Sequence, residues 1–149
     1  LLTNKGKYGL KAMVYLAGAD FGKPVAVAEI ARENKIPKKF LDAILSELRN
    51  AGFVQSKMGK GGGYMLARRA HEISVGHIVR VLDGPIALLP CASATQYRRC
   101  EDCEDEKHCS VRLVMLEARR AITEVLDNRN LAEMRAMSEV DHMAIIYHI

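Results

Sequence analysis

All four cysteines of the 149-residue chain fall in one window, CASATQYRRCEDCEDEKHC, as Cys91, Cys100, Cys103 and Cys109. Their spacing is C-x8-C-x2-C-x5-C, and five acidic residues, Glu101, Asp102, Glu104, Asp105 and Glu106, lie among the last three thiols. A disulfide framework, a metal site and free thiols are the chemistries open to such a segment. A chain of this length buries a core without covalent staples, and thiols in the cytoplasm stay reduced unless they bind metal or sense redox state. Like-charge repulsion from the carboxylates disfavours bare thiolates and blunts simple peroxide chemistry. Arg98, Arg99, Lys107 and Arg112 offset part of that repulsion. A metal reverses the balance, because a coordinated thiol is deprotonated outright. Four thiolates with one C-x2-C pair suit a tetrahedral zinc site, the commoner occupant, or an iron–sulfur cluster, and the spacing does not choose between them.

The elements that must position this window follow from periodicity. Tyr8, Lys11, Ala12, Tyr15, Leu16 and Ala19 predict a first helix over roughly 4–19, ended by Gly22-Lys23-Pro24. Val27, Ile30 and Ala31 suit a short helix ending near Asn34-Lys35. Phe40, Leu41, Ile44, Leu45 and Leu48 then mark the apolar stripe of a longer helix that has Pro37 in its first turn and stops at Gly52. Two helices joined by a few residues, with Lys38 and Lys39 at the start of the second, form a helix-turn-helix arrangement. Residues 53–56 and 64–67 are strand-like and flank KMGKGGG, which predicts a β-hairpin. Those glycines do not make a nucleotide-binding loop, since no Ser or Thr follows the Lys and a strand, not a helix, comes next. Ser74 is placed to cap a further helix through Leu82 that stops at Asp83-Gly84-Pro85. After the cysteine window, residues 110–127 carry the most regular helical pattern, with Val111, Val114, Met115, Ala118, Ala121, Ile122, Val125 and Leu126 on its apolar side. So apolar a helix, lying after the compact part of the domain, needs a partner surface, for which a second subunit is the first candidate. Asn130-Leu131-Ala132-Glu133 fits the capping box of a short terminal helix, and the tail from Asp141 carries no signal.

Charge is divided unevenly. Residues 1–70 hold 13 Lys and Arg against 5 Asp and Glu, a balance of +8, whereas residues 71–149 hold 9 against 13, a balance of −4. The basic half suits a polyanion. A cation at a helix N-terminus opposes the helix dipole by a few tenths to about 1 kcal/mol, so Lys38 and Lys39 call for an anionic partner. DNA phosphate fits, because a recognition helix enters the major groove N-terminus first. Lys57 and Lys60 on the hairpin extend that surface, Gly61 and Gly62 let its backbone come close, and Lys5 and Lys7 add phosphate contacts. Asp42, one turn along the helix, is placed to accept from the amino group of cytosine. No apolar run approaches the roughly 20 residues that cross a bilayer, and the start of the chain lacks a signal-peptide pattern, so the expected location is cytoplasmic. A nucleophile triad, a nucleotide loop and a paired-carboxylate pocket are all missing, so an enzyme is not expected.

LTNKGKYGLKAMVYLA, ENKIPKKFLDAILSELRNAGFVQSKMGKGGGYMLAR, EISVGHIVRVLDG and the cysteine loop before a long helix together resemble the winged-helix regulators of the IscR, NsrR and RirA type, the Rrf-two family. The resemblance spans roughly residues 1–127, and the GGGY wing and the order of wing, ISVGHIVRVLDG helix, cysteine loop and long helix are its most specific parts. It implies a mainly α fold with a small β-hairpin wing, and a homodimer joined through the long helix. The parts are then a winged helix-turn-helix domain over 1–84, a cysteine sensor loop over 85–109, and a dimerisation helix and tail over 110–149. It further implies a transcriptional repressor or activator that binds a double-stranded DNA operator. Such proteins often sense iron, nitric oxide, sulfur supply or redox state through an iron–sulfur cluster (2Fe–2S or 4Fe–4S) held by three loop cysteines. Cys91, Cys103 and Cys109 resemble those ligands, the step from Cys103 to Cys109 matching best.

Some positions depart from the family pattern. Cys100 is an extra cysteine, and it or Cys103 takes the middle position. Lys7 stands before Tyr8, where some relatives place an acidic ligand, which leaves Cys100 or His108 as the candidate fourth ligand. Met58 replaces a wing arginine, and Pro37-Lys38-Lys39 replaces a Ser-containing helix start, so the operator sequence need not be the usual one. The competing readings of the loop are a structural zinc ion or a disulfide switch using Cys100 and Cys103.

Overall fold

A computed structural model describes residues 2–139. The tail from Asp141 lies outside them. Six α-helices and one two-stranded antiparallel hairpin make up the regular structure: α1 Asn4–Ala17, α2 Val27–Asn34, α3 Lys38–Asn50, β1 Val54–Lys57, β2 Gly63–Leu66, α4 Val75–Asp83, α5 Ser110–Asp127 and α6 Leu131–Met137. Short 3-10 turns at Ala70–Glu72 and Pro90–Ala92 join them.

Each helix forms where an apolar stripe meets a start or stop signal. Thr3 caps α1, accepting from the Gly6 N–H at 3.1 Å. The same residue is anchored to the end of α4, its N–H donating to Asp83 Oδ2 at 2.9 Å and its hydroxyl to Asp83 Oδ1. Lys35 takes a left-handed conformation (φ 54°) and turns the chain from α2 into α3. Pro37 occupies the cap of α3, one position ahead of the first turn expected for it, so Lys38 and Lys39 supply the first helical residues. Of the apolar stripe assigned to α3, Leu41, Ile44, Leu45 and Leu48 are buried, but Phe40 is 62% exposed. It lies one residue beyond the side that α1, α2 and α4 cover. Strand register pairs Val54 with Leu66 and Lys57 with Gly63, one residue later in β1 and one earlier in β2 than the expected strands.

The core is one cluster shared by α1–α4, the hairpin base and α6: Met13, Ile30, Leu41, Ile44, Leu45, Leu48, Ile73, Ile78 and Leu131 are nearly or wholly inaccessible. Burying each such side chain is worth about 1.5–3 kcal/mol. Leu131 belongs to α6, beyond the long helix, so the chain leaves this body at Gly84 and comes back to it. The return is made by backbone pairing: Val75 N–H donates to Arg129 O at 3.0 Å and Leu131 N–H to Ile73 O at 2.9 Å. That pairing explains Ser74. It sits at the cap of α4 as expected, yet its buried hydroxyl makes no hydrogen bond among the described residues, and Arg129 has taken over the Val75 N–H. The Asn130 capping box is present, with Glu133 N–H bonded to Asn130 Oδ1 at 2.8 Å.

Helix α5 spans Ser110–Asp127 as the periodicity predicts, and none of its residues is buried. It is tied to α4 by a two-pronged ion pair, Arg80 to Asp127 at 2.6 and 2.9 Å. A Cβ on Gly76 would collide with the Asp127 carboxylate, so the bare glycine lets the helices approach. Hydrogen bonds from Arg80, and then its charge, hold the Asp127 carboxyl below the usual carboxylate range against a small opposing effect of burial. The pair's contribution is therefore complete above about pH 4 and fades as pH falls through the lowered value. The side chains are 35% and 41% exposed, so solvent screening keeps that contribution on the order of 0.5–1 kcal/mol. Asp127→Asn is expected to lower the melting temperature at pH 7 by roughly 1–4 °C, with the deficit vanishing below about pH 3. Thermal melts of both proteins at the two pH values check this.

Candidate functional site

Two regions carry chemistry: the basic surface around α3 and the hairpin, and the cysteine loop between α4 and α5. At α3 no side chain caps the helix start and no acidic residue stands in its first turn. Its unpaired backbone N–H groups and the exposed Lys38 and Lys39 thus make one positive end. Asp42 is brought to Lys38, Nζ to Oδ2 3.3 Å, across one turn. Lys5 on α1 is brought to Glu47 on α3 at 2.7 Å, so part of its charge is answered within the protein. Lys7 lies 5.5 Å from the Tyr8 ring centroid and lines a groove with Lys11 and Asn34 between α1, α2 and α6.

The hairpin forms the wing. Lys57 ends β1, Lys60 lies in the turn, and both are exposed, as is Met58 at 89%. Gly61 has φ +74°, and a Cβ on Gly62 would strike the Lys57 carbonyl, so these positions exclude side chains to make the turn. Gly63 is constrained from another direction. Val25 and Tyr64 exchange N–H···O bonds of 2.8 and 2.9 Å, and a Cβ on Gly63 would run into the Val25 carbonyl. The wing is thereby pinned to the segment leading into α2, a link the sequence reading missed although the run GGGY carried its signal. Arg68 and Arg69 were also missed: they follow β2 and stand over Phe53 at 5.1 Å and Phe21 at 3.9 Å.

In the cysteine loop, a 3-10 turn places Cys91 inward, 5% exposed. Arg98 N–H returns to Pro90 O at 3.2 Å, and Gln96 N–H bonds Ser93 Oγ at 3.0 Å, closing the first half of the loop on itself. Cys100 is thereby brought to Cys91, Sγ to Sγ 3.8 Å. The hydrogen bond to Cys91, followed by desolvation and the charges of Cys91, Asp102 and Cys103, raises the Cys100 thiol above its ordinary range. Cys103 is held through backbone, its N–H bonding Cys100 O at 3.3 Å and its carbonyl accepting from Arg99 at 3.2 Å. Cys109 caps α5, its sulfur accepting from Arg112 N–H at 3.5 Å. The Arg112 side chain reaches back across the loop to Cys91 O at 3.0 Å and Glu106 O at 3.4 Å. His108 points to Asp105 at 2.6 Å and is mostly exposed.

Two thiolates on one tetrahedral metal atom with bonds of about 2.3 Å stand about 3.8 Å apart. The Cys91–Cys100 pair has that separation. Among the described residues no three His, Cys, Asp or Glu side chains converge on a point. The donor set fits a thiophilic metal or cluster by its chemistry, with one edge assembled and Cys103 and Cys109 on the same short loop.

Comparison with known proteins agrees with this geometry. Residues 2–136 match the family model described as Rrf2, iron-dependent transcriptional regulator. A putative rrf2-like HTH-type transcriptional regulator of Rhodobacter capsulatus is 40% identical over 139 residues, covering 91% of this chain and 93% of the relative. The structure of CymR, described as the global cysteine regulator of B. subtilis, superposes with a TM-score of 0.75 at 35% identity over 95% of this chain and 98% of that one. IscR of T. potens superposes with a TM-score of 0.71 at 32% identity over 93% and 88%. Among the described residues no helix is long and apolar enough to cross a membrane. The winged helix-turn-helix body, the wing and the long helix are thus shared with named transcriptional regulators, and the chain belongs to the Rrf2 family of DNA-binding transcriptional regulators.

Proposed function

We propose that this regulator acts as a cytoplasmic homodimer whose operator affinity is set by an iron–sulfur cluster, 2Fe–2S or 4Fe–4S, in the cysteine loop. The observation that carries this reading is Arg112. One side chain on the first turn of α5 holds the carbonyls of Cys91 and Glu106, while its own N–H is capped by Cys109. The order of the loop and the start of the long helix are therefore one structural unit. A bound cluster supplies a crosslink between thiolates that comes and goes with iron supply or redox state. Cys91, Cys103 and Cys109 are the proposed ligands, with Cys100 as the fourth; His108 is less suited, being turned to Asp105.

The dimer is supported by α5 itself. Val111, Val114 and Val125 are 59%, 56% and 61% exposed on a helix without a buried residue. An apolar stripe of that kind is covered in solution, and a second copy of α5 supplies a matching stripe. Two α3 helices then address two DNA half-sites, and a small change in how the α5 helices meet alters their separation. Lys38, Lys39, Lys57 and Lys60 are proposed to meet phosphates, Gly61 and Gly62 to let the wing approach the backbone, and Asp42 to read a base edge. Lys5 and Lys7 are proposed as outlying phosphate contacts. A structural zinc ion on the same thiolates is the second reading, favoured by the Cys91–Cys100 separation of 3.8 Å.

Protein purified without oxygen is expected to contain iron and to show a visible charge-transfer band that Cys103→Ala or Cys109→Ala abolishes. A colourless protein carrying zinc would establish the second reading instead. Replacing Lys38 and Lys39 together by Ala is expected to weaken binding to duplexes of every sequence and reduce the slope of log K against log salt by about 1.8. An unchanged slope would remove α3 from the phosphate contacts. Val114→Asp is expected to shift the protein from dimer to monomer in sedimentation equilibrium without loss of helix signal.

A further inference from the structure

We propose that Cys91 and Cys100 form a peroxide-oxidisable pair that closes a disulfide within one chain, leaving Cys103 and Cys109 reduced. Sequence spacing points to the C-x2-C pair, Cys100 and Cys103, but the fold brings a different pair together. Cys91 Sγ and Cys100 Sγ lie 3.8 Å apart, and Cys91 is the one thiol within hydrogen-bonding reach of Cys100 among the described residues. Their closeness is built by backbone and not by the sulfurs: the Arg98-to-Pro90 bond and the Ser93 turn hold the two ends of the segment side by side. A disulfide requires about 2.05 Å, so the sulfurs need to approach by about 1.8 Å. Rotation of the Cys100 side chain, the more exposed of the two, supplies most of that movement.

Hydroperoxide is the oxidant. The Cys100 sulfur attacks the outer peroxide oxygen, the O–O bond breaks and an alcohol, or water from hydrogen peroxide, leaves; Cys100 becomes a sulfenic acid. Cys91 sulfur then attacks Cys100 Sγ, the S–S bond forms, the S–O bond breaks and water departs. Two thiols have given up two electrons and the peroxide has gained them. The product crosslinks the loop beside the carbonyl that Arg112 holds, so it stiffens the approach to α5 and at the same time removes two metal-binding thiols. The inference concerns the metal-free chain and does not rest on the cluster reading, whose absorbance test is unaffected by its outcome.

The test uses the full-length chain, reduced and kept in chelator without oxygen, then exposed to stoichiometric hydrogen peroxide. Titratable thiol is expected to fall from four to two per chain. Trypsin separates Cys91 on residues 81–98, Cys100 and Cys103 on residues 100–107, and Cys109 on residues 108–112. Mass spectrometry is expected to find the first two peptides linked, in Cys103→Ser as in the parent, and unlinked in Cys100→Ser. Four thiols unchanged would overturn the proposal. So would a link that survives Cys100→Ser, one lost in Cys103→Ser, or one found only in covalent dimers.

Discussion

The two ends of α5 constrain the rest of this molecule. An 18-residue helix that buries none of its side chains in its own chain is positioned by what holds its ends. Its C-terminal end is fixed by the Arg80–Asp127 pair and by the backbone return through Arg129 and Leu131, which seats α6 in the core. Its N-terminal end is fixed by Cys109 at the cap and by Arg112 reaching across the cysteine loop. The first attachment is a packed junction with a hydrophobic anchor, Leu131, that is fully inaccessible. The second is a set of hydrogen bonds to a loop of small, polar and acidic residues. Mechanical firmness is thus unequal along one rigid rod, and the weakly held end is the one that carries the thiols.

Helix α4 is where these constraints meet the DNA-binding body. Its Arg80 takes α5, its Asp83 takes the cap of α1, and Gly76 lets the Asp127 carboxylate lie against it. A Cβ on Gly9 of α1 would collide with Leu82, so α1 and α4 also lie unusually close. Helix α1 in turn reaches α3 through Lys5 and Glu47. A contiguous chain of packed or ion-paired elements therefore runs from the long helix to the recognition helix. In the proposed dimer, a change at the loop does not need to travel along this chain as a deformation. Because the α1–α4 body moves with the C-terminal end of α5, reorienting α5 against its partner is enough to reset the spacing between the two copies of α3.

Much of this arrangement was legible in the sequence wherever the cause is local. The limits of α5 follow from its period, the α6 capping box from Asn130 and Glu133, and the turn of the wing from its glycines. What was not legible depends on contacts between distant segments. Ser74 has the right residue type for a cap, but the N–H it would serve is claimed by Arg129, 54 residues later in the chain. Phe40 fits the apolar stripe of α3 by spacing alone; only the positions of α1, α2 and α4 decide which edge of that stripe stays open. Lys5 reads as a solvent-facing cation until Glu47 is placed beside it. The thiol pairing failed in the same way, because C-x2-C adjacency is a local signal and the Pro90–Arg98 closure that brings Cys91 to Cys100 is not.

The acidic residues around the thiols then take on a definite role. Glu101, Asp102, Glu104, Asp105 and Glu106 lie in a segment without helix or strand, and Glu101, Asp102, Glu104 and Asp105 are exposed. Left to itself such a segment gains little from ordering, since each fixed residue costs about 1–2 kcal/mol of backbone entropy and buries little apolar surface in return. The contacts that oppose this cost are few: Arg112 on two carbonyls, Arg99 on Cys103, and Asp105 with His108. Repulsion among the carboxylates works against compaction, and the mutual effect of the thiols, visible at Cys100, works against holding them together as thiolates. Only a bond between sulfurs, or a cation shared by them, changes both terms in the same direction. A loop balanced in this way responds to the state of its cysteines because nothing else in its composition is strong enough to decide its shape.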